Sequence, residues 1–176
     1  MRLAFLLYLF RRCSFKEKWH SWIANYISSM RFSDLVNGNP SGFFSSSYGL
    51  KHGDPLSLYL FVIFMEVLSK MLSVTINGGF LSGFIVRSSP SGVVNISHLL
   101  FADDTLVFCG ANLDHLCYLC ALFLCFKIVS GLKINGAKLE LLPVSNVGNV
   151  DGLTGILGWE VHSLPLKYLG LPLRAS

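Results

Sequence analysis

Two apolar runs, Leu56 to Leu72 and Leu113 to Val129, constrain this chain more than any other feature, because each must be covered by something other than water. Leu56 to Leu72 is apolar around most of a helical circumference, apart from Glu66 and Lys70, which sit four apart and can pair. A helix apolar on most sides is buried. It is opened by Gly53-Asp54-Pro55, with aspartate a good N-cap and proline favoured at the first helical position. A membrane span needs about 20 nearly uncharged residues. The second run contains Asp114, His115 and Lys127, which leaves Leu116 to Phe126 as its charge-free part, a length that suits a buried helix better. Leu3 to Phe10 is shorter still, and Arg11 and Arg12 stand where a signal peptide would place small residues for cleavage. A membrane partner is therefore not expected.

What remains is a chain short of polar surface. Of its 176 residues 52% are hydrophobic and 14% charged, against about 25% charged in an average soluble domain. Disorder is excluded by so much apolar surface. At this length the chain is one domain or a piece of a larger one. Five cysteines, an odd number, argue for free thiols rather than a disulfide framework. Cys117 and Cys120 form a C-x-x-C near His115 and Cys125, yet their spacing is also that of one helical face, and cysteine is commonly a small buried hydrophobe. The net charge of +4 permits a nucleic-acid partner without demanding one.

Along the chain, helical and extended patterns alternate. Trp19, Trp22, Ile23, Tyr26, Ile27 and Met30 recur at helical spacing, with Lys16, Glu17 and Lys18 in the first turn. Phe32 to Val36, the turn residues Asn37 to Gly42, and Phe43-Phe44 read as a hairpin. A strand over Phe80 to Arg87 lies between turn clusters. Val94 to Phe101 and Thr105 to Cys109 are β-rich runs separated by Ala102-Asp103-Asp104, so a hairpin carries two carboxylates at its tip. The helix Leu113 to Val129 ends at Gly131. Extended pieces follow at Leu132 to Asn135, Leu139 to Val144 and Leu166 to Leu173, with a glycine-rich stretch to Gly158 between them. The pattern predicts an α+β fold, helices on one face of an antiparallel sheet.

Two adjacent carboxylates repel unless a cation neutralises them. Asp103 and Asp104, hard oxygen donors, therefore suggest Mg²⁺ or Mn²⁺ rather than zinc. Such ions support phosphoryl or nucleotidyl transfer. Taken alone, the dipeptide is more often a solvated turn, since aspartate is a common turn residue.

The surrounding residues change that balance. Phe101-Ala102-Asp103-Asp104, within His98 to Cys109, resembles the catalytic box of reverse transcriptases from LINE-type, non-LTR retrotransposons, especially those of plant genomes. Gly49-Leu50-Lys51-His52-Gly53-Asp54-Pro55-Leu56-Ser57 resembles the same family's next most distinctive motif. Ser130-Gly131-Leu132-Lys133-Ile134-Asn135 with Lys138, and Leu164 to Pro172, match further motifs in the family's order. Together they cover nearly the whole chain. The resemblance implies an incomplete right-hand polymerase palm with part of the fingers across residues 1–176, its RRM-like antiparallel sheet carrying the carboxylates. It implies that Asp103 is a direct metal ligand and that Asp104 supports the site or binds metal more weakly. The corner of His52, Gly53, Asp54 and Pro55 would approach the template base and incoming nucleotide, where glycine lets backbone come close. Phe101 and Ala102 would line the same site. Lys138 would lie near the triphosphate as charge partner or proton donor, although a solvated surface lysine is an equal reading. The implied partners are an RNA template, a DNA primer and deoxynucleoside triphosphates, and the implied cofactor is Mg²⁺ or Mn²⁺.

The departures matter as much. The family's first catalytic aspartate belongs a few residues upstream of a stretch like Phe5 to Cys13, and between Met1 and Cys13 there is no carboxylate. A truncated N-terminus and loss of polymerase activity are the expectation, because one acidic turn holds Mg²⁺ poorly. His52 stands where the family usually has glutamine, Leu58 where it has proline and Ala137 where it has serine. The apolar excess then reads as the interior of a palm without its covering parts, which predicts poor solubility. A non-catalytic nucleic-acid-binding or structural remnant is the alternative, and a small membrane protein a more distant one. Trp19, Trp22 and Tyr26 are read as core rather than as a base-stacking surface. Arg11, Arg12, Lys16, Lys18 and Arg31 are read either as a phosphate track or as a solvated helix face.

Overall fold

A computed structural model describes residues 2–29, 31–45, 55–88, 92–145 and 147–173, and places them in two compact units. The first comprises Met1–Leu68 and Cys125–Leu132. Its leucine-rich start forms α1 (Leu3–Arg12), whose last turn carries Arg11 and Arg12, cations suited to a helix C-terminus. The chain reverses through Cys13 to Lys16, where the Phe15 amide donates to the Phe10 carbonyl at 2.9 Å and Ser14 takes a φ of +58°. It re-enters a helix as α2 (Glu17–Ser29) with Glu17 in the first turn. Leu6, Leu9, Phe10 and Ile23 are buried here, with the Phe10 ring 4.9 Å from that of Phe15 and 6.1 Å from that of His20.

The hairpin predicted next is present as β1 (Arg31–Val36) and β2 (Asn39–Ser45), but its turn is Asn37-Gly38 alone, with φ of +51° and +80°, and Asn39 to Gly42, expected in the turn, belong to β2. Both loop residues need positive φ in a type I′ turn, which asparagine and glycine supply most cheaply. Pro55 is the first residue of α3 (Pro55–Asn77), as the helix-start signal requires. His52, Gly53 and Asp54 lie outside the described residues. All-round burial of α3 is corrected. Leu60, Phe64, Leu68 and Leu72, four apart and so on one face, are buried, while Leu58, Tyr59 and Val62 are more than 60% exposed. By length and composition α3 and the helix Leu113–Ser130, here α4, are both long and apolar enough to cross a membrane, a test that core helices of soluble proteins also pass.

The second unit comprises Ser69–Leu124 and Lys133–Ser176. The run from Val94 to Phe101 is two strands, not one. β3 (Phe84–Ser88) pairs with β4 (Gly92–Ile96), and after Ser97 the chain changes partner, β5 (His98–Phe101) pairing with β6 (Asp104–Val107). Leu81, Leu116, Leu119, Leu122 and Leu153 are buried in this unit. α4 ends in the first unit, where the buried Ser130 hydroxyl donates to the Phe126 carbonyl at 2.6 Å and accepts from the Leu132 amide, with Gly131 at φ +68°. After a 3₁₀ turn (Gly136–Lys138), β7 (Glu140–Leu141) runs parallel to β8 (Glu160–Val161). Between them lies α5 (Val150–Leu157), which the sequence pattern does not announce. The last piece folds back on itself as β9 (Leu166–Tyr168) and β10 (Leu171–Leu173).

The α+β class holds. Among the described residues the strands form five two-stranded sheets, four antiparallel and one parallel, rather than a single continuous sheet. The four antiparallel pairs join strands adjacent in sequence, so each is a local pairing.

Candidate functional site

The acidic hairpin is built by β5 and β6, whose register pairs His98 with Val107, Leu99 with Leu106, Leu100 with Thr105 and Phe101 with Asp104. Its loop is two residues, Ala102 and Asp103, one shorter than the sequence pattern suggests. Ala102 adopts φ +49°, a left-handed conformation that costs an L-residue roughly 1–2 kcal/mol. The tight turn puts Asp103 at the apex and Asp104 at the first paired position beyond it. Directly paired residues share a sheet face, so Asp104 lies beside Phe101, which is 58% exposed, on the outer face. Both carboxylates are solvent-exposed.

The strain is held from the base of the hairpin. The His98 ring spans two hydroxyls, with Nδ1 2.8 Å from Ser97 Oγ and Nε2 2.9 Å from Ser69 Oγ on α3. In a neutral imidazole one nitrogen donates and the other accepts, so hydroxyl rotors can satisfy both. The Phe108 amide donates to the Ser97 carbonyl at 2.8 Å, and the Phe84 and Phe108 rings lie 5.8 Å apart. His98 belongs to the quoted motif but has no role in the sequence reading, where it lies inside the β-rich run Val94 to Phe101 and nothing marks it as an anchor.

A hard divalent cation fits the chemistry of Asp103 and Asp104 as oxygen donors, but two carboxylates fall short of a two-metal set. Among the described residues no group of three or more His, Cys, Asp or Glu gathers to hold a metal. Lys138 lies in the 3₁₀ turn, its amide donating to the Asn135 carbonyl at 3.0 Å and its side chain exposed. No ion pair links it to either carboxylate among the described residues. Pro55 is exposed at the start of α3.

The other sequence candidates resolve differently. His115 is a structural staple: Nδ1 accepts from the Gly110 amide at 3.0 Å, its own amide donates to Asn112 Oδ1 at 2.8 Å, and Ser82 Oγ lies 3.4 Å from the ring. All five cysteines are free. Cys117 and Cys125 are exposed, whereas Cys120 is half-buried, and burial together with the neighbouring Cys117 raises its thiol pKa. The core reading of Trp19 and Trp22 is corrected: they are 48% and 51% exposed, edge to face at 5.5 Å. Helical spacing identifies a common face but not which face meets a partner, and here His20 and Ile23 occupy the buried one. Sequence reading also missed His162, whose Nε2 lies 3.5 Å from Glu160 and 4.0 Å from Glu140, because nothing in the pattern pairs β7 with β8.

The likeness read from four short motifs extends along the chain. An uncharacterized mitochondrial protein of Arabidopsis thaliana is 45% identical over 71 residues, covering 40% of this chain and 56% of that relative, so the match spans little more than half the relative's length. A family model described as reverse transcriptase (RNA-dependent DNA polymerase) matches residues 1–173. With that match running from end to end and the acidic hairpin at its centre, the chain belongs to the reverse transcriptase family.

Proposed function

We propose that the chain is part of a reverse transcriptase of the LINE, non-LTR type, in which Asp103 and Asp104 are the metal-binding carboxylates of nucleotidyl transfer. The observation that carries this is the two-residue turn that sets two carboxylates side by side on an exposed hairpin tip, inside a family match covering residues 1–173. When bound, Mg²⁺ or Mn²⁺ would activate a primer hydroxyl and stabilise the leaving pyrophosphate. The chain's own residues supply position. Asp103 offers its oxygens from the apex, Asp104 from the first strand residue, and His98 fixes the strands beneath them through Ser69 and Ser97. His52, Gly53, Asp54 and Pro55 are proposed to face the template base, and Lys138 the triphosphate of the incoming deoxynucleotide.

Among the described residues the carboxylates fall short of a two-metal set, and the isolated chain is expected not to polymerise. A primer-extension assay on an RNA template with a DNA primer, in Mg²⁺ and in Mn²⁺, should give no product. Extension abolished by Asp103→Ala would overturn the inactivity. A second reading, a non-catalytic nucleic-acid-binding remnant, is favoured by the basic character of residues 2–29, the segment of the first two helices, which holds five lysines and arginines against one acidic residue.

A further inference from the structure

We infer that the exposed face of the α1–α2 hairpin binds single-stranded nucleic acid, with Trp19 and Trp22 as a stacking platform and Arg11, Arg12, Lys16 and Lys18 as phosphate contacts. The inference rests on the nucleic-acid partner proposed above and adds the surface that holds it. Charge is the first support. Residues 2–29 hold five of the 14 lysines and arginines and one of the ten acidic residues, so they carry the chain's whole net charge of +4, and the remainder is balanced. Four of those five cations fall between Arg11 and Lys18, around the reversal that joins the two helices, and all four are exposed.

Aromatic geometry is the second. Trp19 and Trp22 are three apart and share one helix face, where they meet edge to face and leave about half of each residue in water. Lys18 Nζ sits 4.8 Å from the Trp22 ring centroid, so a cation is held against the same aromatic surface. Flat π-faces set among cations that can track a backbone are what sequence-tolerant binding of unpaired bases requires.

Basic helices bearing tryptophan also bind anionic lipid surfaces, but they do so by sinking a broad apolar face into the headgroup region. Here His20 and Ile23 of α2 are buried within the protein, and Glu17, Ser21 and Asn25 are exposed polar positions on the same helix, so the exposed surface of α2 is mixed rather than one broad apolar face. An unpaired strand, with bases to stack and phosphates to neutralise, matches what is left.

The test is fluorescence anisotropy of a labelled uridine oligonucleotide of about 20 residues, long enough to cover an ordinary single-strand site, titrated with the full chain at several salt concentrations. Wild type should bind with an affinity that falls steeply with salt, and an RNA duplex of equal length should compete weakly because its bases are already stacked. Trp19→Ala/Trp22→Ala should weaken binding at least about tenfold. Lys16→Ala/Lys18→Ala, at exposed positions that leave the core untouched, should flatten the log-affinity against log-salt slope by about 1.4. Wild-type affinity and slope in both variants would overturn the surface while leaving the nucleic-acid partner standing. Absence of wild-type binding at low salt would overturn both. Binding to phosphatidylserine vesicles that the same substitutions abolish, with RNA binding intact, would assign the face to lipid and overturn the inference.

Discussion

The hairpins β1–β2 and β5–β6 both turn on two residues, yet they are specified by opposite means. In the first, Asn37 and Gly38 take positive φ at little cost, and the strand ends beside the turn are open to water, Leu35 71% and Phe43 73% exposed, with a Phe32–Phe44 ring stack at 6.0 Å farther along. In the second, the loop begins with an alanine forced to φ +49°, and the register is kept by His98 and Ser97 at the base. One hairpin is written in its turn and the other in its anchors. Backbone strain persists only where surroundings over-determine it, and it concentrates at functional positions. That the strained turn is the one bearing Asp103 fits the role proposed for it.

The comparison can be broken from either side. The largest effect is expected from His98→Ala, which removes both hydroxyl contacts and leaves part-buried partners unmatched. It should cost about 1–3 kcal/mol in urea unfolding and raise amide exchange across β5–β6, while β1–β2 is unmoved. Gly38→Val should do the converse, placing a β-branched residue at φ +80° for about 1–2 kcal/mol and opening β1–β2 alone. No atom crowds that site, so the loss would be conformational. Ala102→Gly should instead stabilise the protein by up to about 1 kcal/mol, the relieved strain outweighing the extra freedom of the unfolded chain; a lower unfolding midpoint would mean Ala102 is not strained.

The smallest effect concerns Cys109, just beyond β6. Burial raises its thiol pKa from the ordinary 9.0. The unfolded thiol ionises first, so its contribution to stability is intact below pH about 9 and is lost as pH climbs from there through the native value. At pH 8 iodoacetamide should modify Cys109 more slowly than the exposed Cys13, and His98→Ala should narrow that difference.

Elements whose signal is local were legible. Asn37-Gly38, Pro55 at the start of α3 and Gly131 at the end of α4 each encode a backbone conformation in one or two residues. α5 was not, because Gly152 and Gly155 depress helix propensity, and its start is capped by a side chain, Asn149 Oδ1 accepting from the Gly152 amide at 3.2 Å. The change of partner at Ser97 was hidden for a different reason. An unbroken β-rich run says that a segment is extended and nothing about which neighbour it pairs with. At the candidate site the carboxylates were legible as a motif, whereas the Ser69 contact that steadies them joins residues 29 positions apart and has no trace in local pattern.

The switch at Ser97 also insulates the acidic tip. The ladder of β3–β4 ends at the Phe84–Ile96 pair and that of β5–β6 begins at His98, so no strand hydrogen bond is common to both. A one-residue slip flips every side chain of a strand to the opposite face. Such a slip in β3–β4 would invert Val93 and Val94 and stop at Ser97, leaving Asp103 at its apex. A change of register in the preceding hairpin therefore has no shared ladder bond through which to reach the carboxylates, and the Phe84–Phe108 ring contact is a link through which it could.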